Sequence, residues 1–280
     1  MRVHVAIAGI ANECAKLLRV GVMTETATAR GIPWRLENGG CAALPLPGDP
    51  TIAAVARGHV TALLPALGLP AETIDDVALM VSELATNILD HATPGGGAPS
   101  AELWVYQRGD GSGHDELVVK AFDTVRHWRG HPGGPGRMRE RGRGLEIIDI
   151  LTDGRWGHHP SRSRLSTPAA RGKATWFALP IPRTRTARGR RHGRTPTNAA
   201  QAAKALHTML VRRGIDGFAL GHEPGVSMLT CDDLSVRCDD ETFRWHARTG
   251  EAGELPVTDI TEVGEQIVRL REAMNDVHVV

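Results

Sequence analysis

The sequence has few aromatic residues, which limits the partners that its basic segments could bind. One tyrosine and four phenylalanines occur among 280 residues, and the most arginine-rich stretch, PIPRTRTARGRRHGRTPT at 180–197, has no aromatic residue of the Phe, Trp or Tyr type. Proteins that bind single-stranded nucleic acid combine cationic grooves with aromatic side chains on which bases stack. We therefore interpret this stretch as a solvated linker and expect no direct nucleic-acid binding.

Cysteines and long apolar segments are also scarce. The four cysteines are widely spaced without a CxxC pair, which is typical of a reducing compartment. Cys231 and Cys238 with a nearby histidine would fit no common zinc spacing, so incidental thiols are the preferred interpretation. No apolar run reaches the ~18 residues of a membrane span. His4 and Glu13 interrupt the N-terminal apolar stretch, which argues against a signal peptide. The expected location is the cytoplasm, with no membrane partner.

Charge divides the chain into two parts. Residues 1–198 carry 25 basic and 18 acidic side chains (net +7), whereas residues 199–280 carry 8 and 14 (net −6). We predict four segments: a variable lead-in at 1–45, a main domain at 46–182, the arginine-rich linker at 183–198, and a small acidic α+β module at 199–280. Because opposite charges attract, the module is expected to dock on the linker and on a basic loop at 130–144.

The segment SELATNILDHA, residues 82–92, places three polar side chains at steps of four: Glu83, Asn87 and His91. A helix is predicted here because Pro70 suits its first turn and apolar residues recur at three- and four-residue steps: Val77, Val81, Leu84 and Ile88. At ~100° per residue, Glu83 and Asn87 lie beside this stripe and are expected to be half-buried. We interpret His91 as a residue that caps carbonyl groups at the helix end.

Further polar features follow this helix along the chain. Asp123 ends a predicted strand, the loop at 130–144 contains six glycines and four arginines, and Gly172-Lys173 begins the last strand of the domain. A carboxamide oxygen such as that of Asn87 is a hard ligand for Mg²⁺. A half-buried carboxylate such as Glu83 can act as a general base. A strand-end aspartate can accept a hydrogen bond from the exocyclic amine of adenine. Backbone amides at the start of a helix can hold phosphate oxygens.

Three of these segments resemble motifs of the GHKL ATPase superfamily, which includes gyrase, histidine kinases and the heat-shock chaperone ATPase. ELATNILDHA is similar to the N box of that superfamily. ERGRGLEIIDILTDGRWG at 140–157, with GKATWFALP at 172–180, resembles the version found in anti-sigma-factor serine kinases and related actinobacterial ATP-binding regulators. The resemblance covers about residues 45–182. It implies an α+β fold, a two-layer α/β sandwich of the GHKL (Bergerat) type, to which the small C-terminal α+β module is an addition.

The resemblance also implies a role for each candidate residue. Glu83 would be the general base, Asn87 the ligand of Mg²⁺, and Asp123 the adenine anchor. Gly142 and Gly144 would shape a lid over the phosphates. The full set of candidate nucleotide-binding residues is Asn87, Asp123, Arg141, Gly142, Arg143, Gly144, Leu145 and Lys173. The implied cofactors are ATP and Mg²⁺.

The sequence departs from the family pattern in two places. The usual Asp-x-Gly-x-Gly is here Asp123-Thr124-Val125-Arg126-His127, without either glycine, and Lys173 stands where a threonine often follows the last glycine. The chain also has no GxxxxGK[ST] motif, which argues against a P-loop enzyme. No helix with a phosphoacceptor histidine precedes the domain, which argues against a two-component histidine kinase.

Two functions are open at this point. One is an ATP-dependent serine/threonine protein kinase of the anti-sigma type, which phosphorylates an antagonist protein after Glu83 deprotonates the attacking hydroxyl. The other is a non-catalytic regulator that sequesters a sigma factor or another protein and binds nucleotide weakly or only for structure. The Glu83 and Asn87 pair favours the kinase, whereas the missing glycines favour the sequestering regulator. A protein partner is expected in both, and the resemblance also allows a homodimer.

Overall fold

A computed structural model describes residues 40–90, 100–109, 115–126, 143–181 and 198–277, which form ten strands and five α-helices. The strands are β1 Cys41–Leu46, β2 Ala101–Gly109, β3 Asp115–Asp123, β4 Trp156–Arg162, β5 Arg171–Ile181, β6 Ala219–Glu223, β7 Val226–Cys231, β8 Leu234–Cys238, β9 Thr242–Ala247 and β10 Ala252–Pro256. The helices are α1 Ile52–Leu63, α2 Ala71–Asp90, α3 Arg143–Thr152, α4 Ala199–Arg212 and α5 Ile260–Val277. No helix in these described segments is both long and apolar enough to cross a membrane.

The first five strands form one antiparallel sheet in the order β1-β2-β3-β5-β4. Successive residues of a strand point to opposite faces of the sheet, and helices α1, α2 and α3 cover one face through a common apolar core. Within this core Leu103, Val119 and Phe177 are at most 1% exposed. This sheet with its helices confirms the predicted two-layer α+β sandwich.

Helix α2 carries the apolar stripe that the sequence predicts. Its stripe residues are between 0 and 4% exposed: Val77, Val81, Leu84 and Ile88. The preceding helix α1 ends at Leu63, and a 3-10 turn at Leu64–Leu67 leads to Gly68, whose φ of 70° suits glycine. This turn reverses the chain, so that α1 and α2 pack against each other on the sheet.

The acidic module has a sheet and a core of its own. Strands β6 to β10 form an antiparallel meander in the order β10-β9-β8-β7-β6. Helices α4 and α5 pack against this sheet, and the residues of the shared core include Leu206, Leu210, Phe243, Ile267 and Leu270, all 0% exposed. The predicted addition to the sandwich is therefore an α+β unit with its own apolar interior.

Helix α5 also connects the module to the first sheet. Its apolar side lies in the module core, and three glutamates on another side reach the face of the first sheet that is opposite to α1, α2 and α3: Glu262, Glu265 and Glu272. On that face Trp104 and Tyr106 of β2 are 0% exposed. Docking is predicted from charge on the loop at 130–144 and the linker at 183–198, of which residues 130–142 and 183–197 lie outside the described residues. The contacts that the structure describes are with the sheet.

Candidate nucleotide site

Helix α2 presents Glu83 and Asn87 at the edge of its buried stripe. Both side chains are half-buried, as the helical periodicity predicts, and a four-residue step places them about 6 Å apart along the helix axis. The neighbouring Leu84 and Ile88 are 2% and 4% exposed and fix the rotation of the helix. A carboxylate and a carboxamide are thereby held side by side at a position that a ligand can reach.

The first turn of α3 lies directly against Glu83. A Cβ atom added to Gly144 would be 2.5 Å from Oε2 and 3.2 Å from Cβ of Glu83, whereas non-bonded carbon atoms prefer about 3.5–4.0 Å. Only glycine allows this approach without displacing the carboxylate. The start of a helix carries partial positive charge and free N–H groups, which favour both a carboxylate and phosphate oxygens. Glu83 and the beginning of α3 therefore form one site.

Asp123, at the end of β3, is bound to Lys173 on the neighbouring strand β5. The ammonium Nζ of Lys173 lies 2.8 Å from Oδ1 and 2.7 Å from Oδ2 of Asp123. It also donates to the carbonyl oxygen of Val125 at 3.1 Å. The two residues are 2% and 5% exposed and lie directly opposite each other in the strand register. The predicted adenine anchor is thus already part of a buried ion pair.

Gly172 allows β5 to approach β3 beside this ion pair. A Cβ atom at Gly172 would overlap the carbonyl oxygen of Asp123 and come within 2.8 Å of the ring of Phe122. A larger residue would therefore push the strands apart. The glycine that begins the GKATWFALP motif has a packing role here, because it brings the two backbones together where the Asp123 side chain emerges.

Two residues that are not among the sequence-based candidates lie on the same face of the sheet as Lys173. Thr175 follows Lys173 by two positions on β5, so both point to the helical face, and His158 lies opposite Thr175 on β4. Burial lowers the pKa of His158, and the charge of Lys173 lowers this pKa further. The alternation along GKATWFALP predicts the position of Thr175, but His158 can be found only from the strand register.

The remaining candidates are only partly described. Leu145 is half-buried and packs against the core of the first sheet, so the group that it can offer a ligand is its backbone amide. Arg141, Gly142 and the side chain of Arg143 lie outside the described residues, and so does His91. The described part of the predicted phosphate lid therefore begins at the start of α3.

The candidate residues near α2 and α3 fit ATP and Mg²⁺ better than the candidate residues near β3 and β5 do. Near α2 and α3, the Asn87 amide, the Glu83 carboxylate and a helix start occur together, and a Mg²⁺ ion that keeps several waters needs few protein ligands. In the described segments no cluster of three or more His, Cys, Asp or Glu side chains could hold a metal unaided. Near β3 and β5, Lys173 occupies both oxygens that would accept the adenine amine. The site therefore suits the phosphates and the metal better than the base.

Comparison with known proteins gives a family match for part of the chain. Residues 46–155 match a family model described as a histidine kinase-like ATPase domain. The matched residues include α1, α2, β2, β3 and α3, and so contain Glu83, Asn87, Asp123 and Gly144. Lys173 lies beyond the matched segment. No curated protein sequence matches the chain significantly.

Proposed function

We propose that the protein is an ATP-dependent serine/threonine kinase of the anti-sigma type. The premise of this proposal is that residues 46–155 form a histidine kinase-like ATPase domain of the GHKL type. The domain match supports ATP binding as the general function. The narrower proposal depends on one observation, the contact of Gly144 with the Glu83 carboxylate. This contact sets a candidate base beside a helix start that suits phosphate oxygens.

Each described residue has a definite task in this proposal. Bound ATP with Mg²⁺ supplies the phosphoryl group and neutralises part of its charge. Glu83 accepts the proton of the attacking serine or threonine hydroxyl, and Asn87 offers its amide oxygen to the metal. The N–H groups of Gly144 and Leu145 orient and stabilise phosphate oxygens. Because Glu83 is half-buried, it stays within reach of a partner's hydroxyl.

The proposed partner is a protein. The resemblance of residues 140–157 to anti-sigma-factor kinases supports a sigma factor or its antagonist, and hence a role in regulating transcription. The arginine-rich linker without aromatic residues gives no support for nucleic acid as the substrate. A homodimer is proposed on the same resemblance.

Variants of Glu83 and Asn87 separate chemistry from binding. Glu83→Ala should leave the affinity for Mg-ATP nearly unchanged while phosphate transfer falls by ~10²–10⁴-fold, the usual effect of removing a general base. Asn87→Ala should lose the Mg²⁺-dependent part of ATP binding. The measurement is a titration with labelled ATP beside a transfer assay with the co-purified protein partner. Glu72→Ala, in the exposed first turn of the same helix, is the matched control and should change neither quantity.

Two results would contradict this proposal. If the parent binds ATP but transfers no phosphate to a partner, the proposed kinase activity is wrong, and only the proposed ATP binding stands. If Glu83→Ala transfers phosphate at the parental rate, Glu83 is not the base.

A second function is favoured by the ion pair of Lys173 with Asp123. A base anchor that is already paired is consistent with weak nucleotide binding, and the protein would then act by sequestering a sigma factor or another partner. Capture of the partner without ATP, retained in Glu83→Ala, would support sequestration. Capture that requires Mg-ATP would support the kinase.

A further inference from the structure

We propose that Lys173 competes with the nucleotide base for Asp123, so that the site holds a nucleotide mainly through its phosphates and distinguishes poorly between adenine and guanine. This inference rests on the proposed function in one respect, the binding of a triphosphate near α2 and α3. It goes beyond that function by naming the residue that sets base selectivity.

The first argument concerns Lys173 itself. An ammonium group has three N–H donors, and those of Lys173 meet Oδ1 and Oδ2 of Asp123 at 2.8 and 2.7 Å and the carbonyl oxygen of Val125 at 3.1 Å. The side chain of Lys173 is 6% exposed. Moving it aside to admit a base would leave a buried ammonium without its partners, which is strongly unfavourable.

The second argument concerns the carboxylate of Asp123. Besides the two bonds from Lys173, its Oδ1 accepts the N–H of Val125 at 2.8 Å. A hydrogen bond to an ionised acceptor is roughly twice as strong as a neutral one. Here, however, the ammonium of Lys173 already binds the ionised oxygens and compensates their charge. An adenine amine therefore meets a compensated ion pair rather than a free negative charge, and gains little by binding to it.

The third argument concerns guanine. A carboxylate alone would repel the guanine carbonyl oxygen, because lone pairs would face lone pairs. A carboxylate paired with an ammonium offers an acceptor and a donor together. Adenine presents an amine beside a ring nitrogen acceptor, and guanine presents a carbonyl oxygen beside a ring N–H. Either base has to exchange one bond of the ion pair, so neither is strongly preferred, and the triphosphate common to both dominates binding.

Calorimetric titration of the full chain tests this inference. The ligands are ATP, GTP and inorganic tripolyphosphate, each with Mg²⁺, and the proteins are the parent, Lys173→Thr, Lys173→Arg and the double variant Asp123→Ala/Lys173→Thr. For the parent, the three affinities should agree within about threefold, since no net hydrogen bond to a charged group is gained. Lys173→Thr removes the ammonium from Asp123 and should bind ATP about tenfold more tightly than GTP or tripolyphosphate. Lys173→Arg keeps a cation and should keep the parental pattern, and the double variant should lose the gain.

The outcomes separate this inference from the proposed function. A parent that prefers ATP over GTP by about tenfold overturns the inference without any variant. A folded Lys173→Thr protein with no gain for ATP, or with weaker ATP binding, overturns it while tripolyphosphate binding still supports a phosphate site. If the parent binds neither tripolyphosphate nor a nucleotide, the proposed function fails and the inference fails with it. Circular dichroism shows whether each variant is folded.

Discussion

The hydroxyl of Tyr106 donates a hydrogen bond to Oε2 of Glu262 at 2.5 Å, although the two residues belong to parts of the chain with opposite net charge. Both residues are buried, at 0% and 3% exposure. Burial raises the pKa of Tyr106 well above its usual value, and the nearby Glu262 carboxylate raises it further. The other oxygen of Glu262 accepts from Arg108 at 3.1 Å. The last helix is thus tied to the first sheet by buried polar contacts.

Glu265 is the centre of one heavily charged part of this contact. Its carboxylate lies 2.5 Å from Arg213, 2.7 Å from Arg164 and 3.4 Å from Lys120. Burial would raise the pKa of Glu265, but these cations, above all Arg213, hold it well below the usual carboxyl range. We predict that Glu265→Gln lowers the free energy of unfolding by about 3–5 kcal/mol at pH 7, because it leaves buried cations uncompensated. Urea-induced unfolding measures this change.

The control for Glu265 is Glu251→Gln, which removes a carboxylate that pairs with Arg269 at 3.1 Å on the module surface and is itself 49% exposed. Exposed ion pairs contribute about 0–1 kcal/mol, so this variant should resemble the parent. A Glu265→Gln protein that is equally stable would mean that the cations find other partners. Because the folded pKa of Glu265 is depressed, its contribution is present above the unfolded pKa near 4.3. It is lost as the pH falls through the folded pKa.

Deletion of the module should destabilise the first domain. The opposite net charges of residues 1–198 and 199–280 suggest that a chain ending near 182 would fold alone. However, Trp104, Tyr106 and Phe122 are 0% exposed on the face towards the module, and the deletion would uncover them. We predict a lower melting temperature and binding of a hydrophobic dye. Adding residues 198–280 as a separate polypeptide should reverse both effects. A truncated protein with the parental melting temperature and no dye binding would show that the domain is independent.

Gly144→Ala tests the approach of α3 to Glu83. The new methyl group would lie 2.5 Å from Oε2, so the carboxylate has to turn away, and we predict a loss of phosphate transfer of at least about tenfold from the misplaced base. The matched control is Gly58→Ala on α1, where a Cβ has no heavy atom within 4 Å. That change should stabilise the protein by about 0.5–1 kcal/mol through helix propensity and leave transfer unchanged. Equal rates of phosphate transfer in the two variants would mean that the contact between Gly144 and Glu83 has no role in the transfer.

Asp259 should make the contact between module and sheet sensitive to pH. Its Oδ2 accepts the N–H of Gly109 at 2.9 Å, and burial, with the nearby Glu262 and Asp115, raises its pKa from 3.8 to about 6. A raised folded pKa means that the stabilising contribution is complete below the unfolded pKa and is lost as the pH rises through 6. At ~1.36 kcal/mol per pKa unit, the loss is on the order of 3 kcal/mol.

Asp259→Asn should therefore leave stability nearly unchanged at pH 4 and raise it at pH 7.5, since the asparagine oxygen can still accept from Gly109. Urea unfolding of both proteins at the two pH values measures this difference. A variant that is less stable than the parent at pH 7.5 would mean that the contacts of the ionised carboxylate stabilise the folded protein by more than the burial of its charge destabilises it.

The local parts of the fold could be predicted from the sequence. The stripe of α2 and the half-buried Glu83 and Asn87 follow from a 3.6-residue period, which is a property of neighbouring residues. The strand β1, Cys41–Leu46, falls at the border of the predicted lead-in. Its local sequence does not predict a strand, because the segment is short and is held by its pairing with β2. The break after Leu63 follows from Pro65, whose missing N–H cannot continue the helical bonds.

Contacts between distant segments could not be predicted in the same way. Asp123 and Lys173 are both predicted as nucleotide-binding residues, but that they bind each other depends on the register of β3 with β5. Glu262, Glu265 and Glu272 look like the solvated side of an acidic helix. The cations that pair with them come from distant segments, such as Arg108 and Arg162 of the first sheet and Arg213 after α4. Charge in a sequence therefore indicated attraction between the two parts but not the surface on which they meet.

The position of α5 in the chain also bears on how the protein is made. The first sheet ends at Ile181 and the helix that covers its second face begins at Ile260, so about 80 residues must be synthesised between them. At a synthesis rate of ~5–20 residues per second, that face lacks its covering helix for several seconds. The aromatic residues of that face therefore stay uncovered until the last helix emerges, beside the charged residues Glu102, Glu116 and Lys120.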